Sequence, residues 1–167
     1  MILVFGLASI FTVAQAHLCL LSPPQRGNMS GLNTPAAPNC LLLTGPCGGR
    51  QAGSPTYYHT GDNMTVIFMK NFDHYYAAAP GEFVVSLGAN DHSIPKILAH
   101  QLDGGEKAPH IYRLSFPVPQ MHIRPDLHYF IQVTYTPNNP NAPKIFYQCA
   151  DVGFEGHLHQ RPSNPVG

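Results

Sequence analysis

The chain has 167 residues, 44% of them hydrophobic and 11% charged, with nine Lys and Arg against nine Asp and Glu. A neutral chain without a basic stripe argues against nucleic acid or an anionic membrane as a partner. Low charge with high apolar content excludes intrinsic disorder, and 17 Pro with 15 Gly argue against a helical bundle.

Residues 1–16, MILVFGLASIFTVAQA, form an apolar run ending in Ala14-Gln15-Ala16, the small-x-small pattern of a signal-peptidase site. The run is too short for a transmembrane helix, which needs about 20 apolar residues, and no later segment qualifies. The expected product is a secreted, monomeric domain over residues 17–155 with a flexible tail over 156–167. Two sequons, Asn28-Met29-Ser30 and Asn63-Met64-Thr65, are candidate glycosylation sites. The four cysteines, Cys19, Cys40, Cys47 and Cys149, suggest two disulfides in an oxidising compartment. Zinc is disfavoured because no CxxC pair is present.

From Leu18 to about Gly61 the many Pro and Gly predict a long loop, of the kind that is functional or pinned by disulfides. Strands follow at Met64–Lys70, Phe83–Leu87, Ile111–Phe116, His128–Thr136 and Lys144–Phe154, all rich in Val, Ile, Phe, Tyr and Thr. Turn signals such as Pro80-Gly81, Asp103-Gly104-Gly105 and Asn138-Asn139-Pro140 separate them. The pattern predicts an all-β, antiparallel β-sandwich with long disulfide-pinned loops. On that reading Cys149, on the last strand, pairs with Cys40 or Cys47, and the remaining loop cysteine pairs with Cys19.

Cleavage after Ala16 would make His17 the N-terminus, offering an α-amine and an imidazole to one metal ion. The amine has an unperturbed pKa of about 7.7–8.0, so a metal displaces its proton at modest cost. A second imidazole opposite completes a three-nitrogen T, which suits tetragonal Cu(II) better than tetrahedral zinc.

The segments around His17 carry a resemblance. His17-Leu18-Cys19-Leu20-Leu21-Ser22-Pro23-Pro24-Gln25-Arg26-Gly27 resembles the mature start of lytic polysaccharide monooxygenases. Pro46-Cys47-Gly48-Gly49 resembles a segment of that superfamily's copper-acquisition-factor-like branch. Phe146-Tyr147-Gln148-Cys149-Ala150-Asp151-Val152 resembles its C-terminal core strand, and Asn71-Phe72-Asp73-His74-Tyr75 the segment bearing its second histidine. The resemblance implies an immunoglobulin-like sandwich with a surface copper site, the histidine brace, with His17 and His74 as ligands and Phe146 at the axial position. Without the resemblance Phe146 reads equally well as a core aromatic.

Three functions follow. One is a copper-binding or copper-delivering protein, favoured by Pro46-Cys47-Gly48-Gly49 and by the absence of Trp. The second is a copper-dependent monooxygenase acting on chitin or cellulose-like polysaccharide, favoured by an axial Phe146. The third is a copper-free secreted interaction domain. The carrier relatives add an Asp ligand, and Asp73 and Asp91 are the carboxylates available. Tyr75-Tyr76, and less directly Tyr57-Tyr58, could stack on a glycan. The other histidines, among them His59, His92, His100, His110, His122 and His128, read as solvated side chains, and His157-x-His159 as adventitious.

Overall fold

The computed structural model describes residues 17–91, 93 and 95–155; the expected leader over 1–16, His92, and the expected tail over 156–167 with its histidines lie outside the described residues. Eight strands are present: β1 (Leu18–Ser22), β2 (Thr56–His59), β3 (Asn63–Lys70), β4 (Glu82–Ala89), β5 (Lys96–Leu102), β6 (His110–Pro117), β7 (Tyr129–Thr136) and β8 (Phe146–Glu155). A single 3-10 turn at Pro38–Cys40 is the only helical element among the described residues. The strands form two sheets, ordered β1-β3-β6 and β2-β8-β7-β4-β5. This is the immunoglobulin-like sandwich expected.

Alternation within the strands makes the core. Met64, Val66 and Phe68 of β3 turn inward, and Phe83, Val85 and Leu87 of β4 face them across the sandwich with Ile131, Val133 and Tyr135 of β7. Each of these sets repeats at two residues, so one face of each sheet is apolar and the other is free for polar side chains. Phe146, Ala150, Val152 and Phe154 supply the same face from β8. Cys149, on the opposite face, joins Cys47 and Phe130 in a separate apolar cluster.

Three strands depart from the sequence reading. The segment read as loop between Leu18 and Gly61 contains β1 and β2, and β5 lies in a stretch assigned no structure. β1 is Leu-rich and short, yet it buries Leu18, Cys19 and Leu20 completely by pairing with β3. β2 pairs with β8 in parallel, Thr56 opposite Val152, so the sandwich is not wholly antiparallel. β5 is an edge strand with Ile97 and Leu102 exposed, and edge strands need little apolar alternation.

The rest of the long loop is irregular but tied down. Cys19 is bridged to Cys40, and Cys47 to Cys149. Arg26 N–H donates to the Cys149 carbonyl at 2.7 Å, and Tyr147 N–H to Leu42 at 2.9 Å, which lays the loop along β8.

Candidate metal centre

The antiparallel registers bring a particular set of strand ends together. Lys70 at the end of β3 lies opposite Leu18 at the start of β1 and His110 at the start of β6. In the second sheet, Glu82 opposes both Leu102 and Thr136, and Tyr135 opposes Phe146. Both His17 and His74 sit at this end, one just before β1 and the other in the turn after β3.

Backbone and side-chain bonds hold the two histidines in register. Asn71 N–H donates to the His17 carbonyl at 2.8 Å. The buried Asn71 side chain donates to Leu32 and Thr34 carbonyls at 2.8 and 3.0 Å and accepts from Ala37 N–H at 3.1 Å. One amide thus joins the β1 entry, the β3 exit and the proline-rich loop. On the other side Asn139 donates to the His74 carbonyl at 3.2 Å.

The imidazoles share an aromatic neighbour. The Phe72 ring centroid lies 6.3 Å from that of His17 and 5.6 Å from that of His74. Phe146 stacks on His74 at 6.0 Å with an interplanar angle of 14°, and Tyr135 stacks on Phe146 in turn at 6.0 Å. His17 and His74 are buried, at 1% and 4% exposure, and Phe146 is fully buried. Such a pair offers two imidazoles in an apolar aromatic setting, and a free amine at His17 would add a third nitrogen. That donor set fits copper. Among the described residues no three His, Cys, Asp or Glu side chains gather into a cage, but a brace of two imidazoles and a backbone amine calls for no such cage.

The two carboxylates considered from sequence are engaged elsewhere. Asp73 Oδ1 lies 3.4 Å from Lys70 Nζ and accepts from Tyr75 N–H at 3.0 Å. Asp91 follows β4, whose last residue pairs with the first of β7 at the opposite end of the sandwich. There it accepts from Ser93 N–H at 3.1 Å. Hydrogen bonding from the Ser93 side chain, then from its N–H, and the nearby Arg124 hold its carboxyl below the usual carboxylate range.

A charged cluster lies beneath the site. Lys70, fully buried, reaches Asp103 Oδ1 at 2.7 Å. Asp103 also accepts the Tyr135 hydroxyl proton and the Gly105 N–H. Burial, and then donation to Asp103, push the Tyr135 phenol far above its ordinary pKa. Tyr112, whose hydroxyl donates to Glu106 at 2.8 Å, is raised for the same reasons. The sequence reading missed this cluster and Phe72; the only signal for it was a Lys closing the otherwise apolar run MTVIFMK.

Among the described residues, the remaining histidines do not join His17 and His74. His59 is at the end of β2, 3.9 Å from Glu155 at the far end of β8, roughly 30 Å along the strand from Phe146. His100 on the edge strand lies 3.5 Å from Glu82, and His110 packs edge-on against Tyr112 at 4.7 Å. His122 and His128 are exposed. Of the tyrosines, Tyr75 packs against Gly105 and Tyr76 is 40% exposed beside the site.

No family model matches the sequence, and no curated protein matches it. Two solved structures are similar in fold. One is a lytic polysaccharide monooxygenase from Jonesia denitrificans, at 12% identity and a TM-score of 0.47, over 83% of this chain and all of that one. The other is an AA10 lytic polysaccharide monooxygenase from Streptomyces lividans, at 18% identity and a TM-score of 0.43, over 85% of this chain and 83% of that one. No helix among the described residues is long and apolar enough to cross a membrane.

Proposed function

We propose that the mature protein starts at His17 after secretion and binds one copper ion through the His17 amine, the His17 imidazole and the His74 imidazole. The observation that carries this reading is the pairing of two buried imidazoles around Phe72, with Phe146 stacked beneath His74. Three nitrogens in a T favour Cu(II), which also stands highest in the divalent affinity order. The chain's own part is to fix the donors: Asn71 holds the His17 backbone, Asn139 holds that of His74, and Phe146 excludes water from one side.

The test compares protein beginning at His17 with protein carrying one extra residue before it. The extension keeps the imidazole and removes the free amine from the chelate. Calorimetry and EPR should show one nitrogen-rich tetragonal Cu(II) in the first, with affinity at least about a hundredfold weaker in the second. Equal affinity sinks the brace.

The use of the copper separates the two remaining readings. Binding or delivery is the primary one, supported by the resemblance of Pro46-Cys47-Gly48-Gly49 to the carrier branch. A specific observation favours the monooxygenase: Phe146 is apolar, Asp73 is held by Lys70, and among the described residues no carboxylate gathers with His17 and His74. Bound copper would supply one-electron chemistry with an oxidant, and the protein would need to grip a glycan beside it, with Tyr76 and Phe72 the exposed rings at hand. Copper-loaded protein incubated with ascorbate, peroxide and chitin or cellulose should release no oxidised oligosaccharides if it is a carrier. Oxidised products that vanish in His17→Ala would establish the enzyme.

A further inference from the structure

Two cavities open at the end of the sandwich away from His17 and His74. One, about 330 Å³, is lined by Arg26, Arg50, Gln51, Asn90, His128 and Phe130 among others. The other, about 360 Å³, has Tyr57, Arg124 and Asp151 in its wall, and His128 borders both. Each is in the size range of small-molecule sites and far larger than a bare oxyanion requires.

Three arginines border these cavities, and two are matched to carboxylates. Arg26 donates from Nε and Nη2 to Asp151, the shortest bond being 2.6 Å, and lies over the Phe130 ring at 5.2 Å. The second Asp151 oxygen also accepts from Gly53 N–H at 2.7 Å. Arg124 pairs with Asp126 at 2.6 Å and lies 4.0 Å from Asp91. Arg50 has no carboxylate within ion-pair distance among the described residues. Its Nη2 donates to Asn39 Oδ1 at 2.9 Å, and its Nε is buried without a hydrogen-bond partner. The guanidinium is also held in place: it rests against Gly27, which has φ +85° and whose added Cβ would fall 1.8 Å from Nη1. A guanidinium held in one place on a cavity wall, with no carboxylate paired to it among the described residues, is matched in shape and charge by a carboxylate.

Past His128 the second cavity offers a stacking surface. Tyr57 is 63% exposed on β2. Its register partner on β8 is Gly153, where a Cβ would come within 2.4 Å of Tyr57 Cε1. The glycine lets the ring lie down on the sheet, leaving its outer face to solvent. Flat aromatic faces of this kind pack on the C–H face of a pyranose.

We propose that these two adjoining cavities bind an acidic glycan, with a uronate carboxylate at Arg50 and another sugar ring of the same oligosaccharide on Tyr57. The site is independent of copper. NMR of the arginine Nε–Hε correlations reads it directly in the wild-type protein, with a galacturonate trimer, cellotriose and inorganic sulfate as the three probes. The galacturonate trimer should shift the Arg50 signal saturably, and cellotriose should bind about tenfold more weakly or less. Tyr57→Ala should weaken the galacturonate trimer about tenfold while leaving sulfate unchanged. Arg50→Lys, which keeps the charge and loses the fork, should weaken both anions. No saturable shift with any probe overturns the site. Equal binding of cellotriose overturns the carboxylate at Arg50. Sulfate binding as tightly as the trimer, with Tyr57→Ala silent, reduces it to a free-anion pocket and overturns the glycan.

Discussion

At the scale of single residues, the buried groups beneath His74 make the sharpest expectations. Lys70 and Asp103 are each buried and face one another at 2.7 Å. Removing one member leaves the other as an uncompensated charge, which typically costs about 3–5 kcal/mol, whereas replacing both is far milder. Lys70→Met should therefore destabilise strongly in urea titration, and Lys70→Met with Asp103→Leu should recover most of the loss. If the double variant is as unstable as the sum of the singles, the pair is not a coupled unit. The tyrosines above them set an alkaline limit. Burial and carboxylate partners raise the Tyr135 and Tyr112 phenols in the folded state, while the unfolded chain titrates near about 10. A raised folded value means that the folded state keeps the proton the unfolded state gives up. The contribution is whole below about pH 10 and is lost as the pH rises beyond it, at up to about 1.4 kcal/mol per pH unit for each tyrosine. Tyr112→Phe with Tyr135→Phe should flatten the fall in stability between about pH 10 and 11, and an unchanged slope would remove these two side chains from the explanation.

At the scale of elements, the two disulfides constrain very different lengths of chain. Cys47–Cys149 spans 102 residues and Cys19–Cys40 spans 21. On chain entropy alone a loop of about 100 residues is worth about 4.7 kcal/mol and one of about 15 residues about 3. Replacing Cys47 and Cys149 together by Ala should thus lower stability more than replacing Cys19 and Cys40, and the reverse order in chemical denaturation would show that strand β1 depends on its own bridge more than loop length implies. The bridges also explain what could be read from the sequence. β3, β4, β6, β7 and β8 were legible because runs such as Phe83-Val84-Val85 are rich in the β-branched and aromatic residues that strands favour. β1 and β2 were not, because their strand character is conferred from outside. Leu18–Ser22 is ordered by pairing with β3 and by the Cys19 bridge, and Thr56–His59 adds in parallel to the exposed margin of β8.

At the scale of the whole molecule, the sandwich brings its candidate site together from segments far apart in the chain. His17 and His74 were legible as a pair only through local motifs, since nothing in their spacing states that β1 and β3 are neighbours. Phe72 and the Lys70–Asp103–Tyr135 cluster were not legible, because their roles depend on the registers that stack β7 and β8 beneath the β3 exit. On the proposed reading, the complete three-nitrogen site would belong to the folded state. Unfolding would leave the His17 and His74 imidazoles joined only by flexible chain running on from the Cys19–Cys40 bridge, so the three nitrogens would come together only in the native protein. A ligand that binds only the native state stabilises it by about 4.1 kcal/mol when present at about 1,000 times its Kd. For a domain of this size that corresponds to a rise in Tm of roughly 10 °C. Thermal scans of protein beginning at His17 should show that rise with Cu(II) and its reversal with a chelator, and the one-residue extension should show little of either. His74→Ala should abolish the rise, whereas His59→Ala, at the far end of β8, should leave it intact. An equal rise in the extended protein would place the stabilising copper elsewhere, and loss of the rise in His59→Ala would reassign the second ligand.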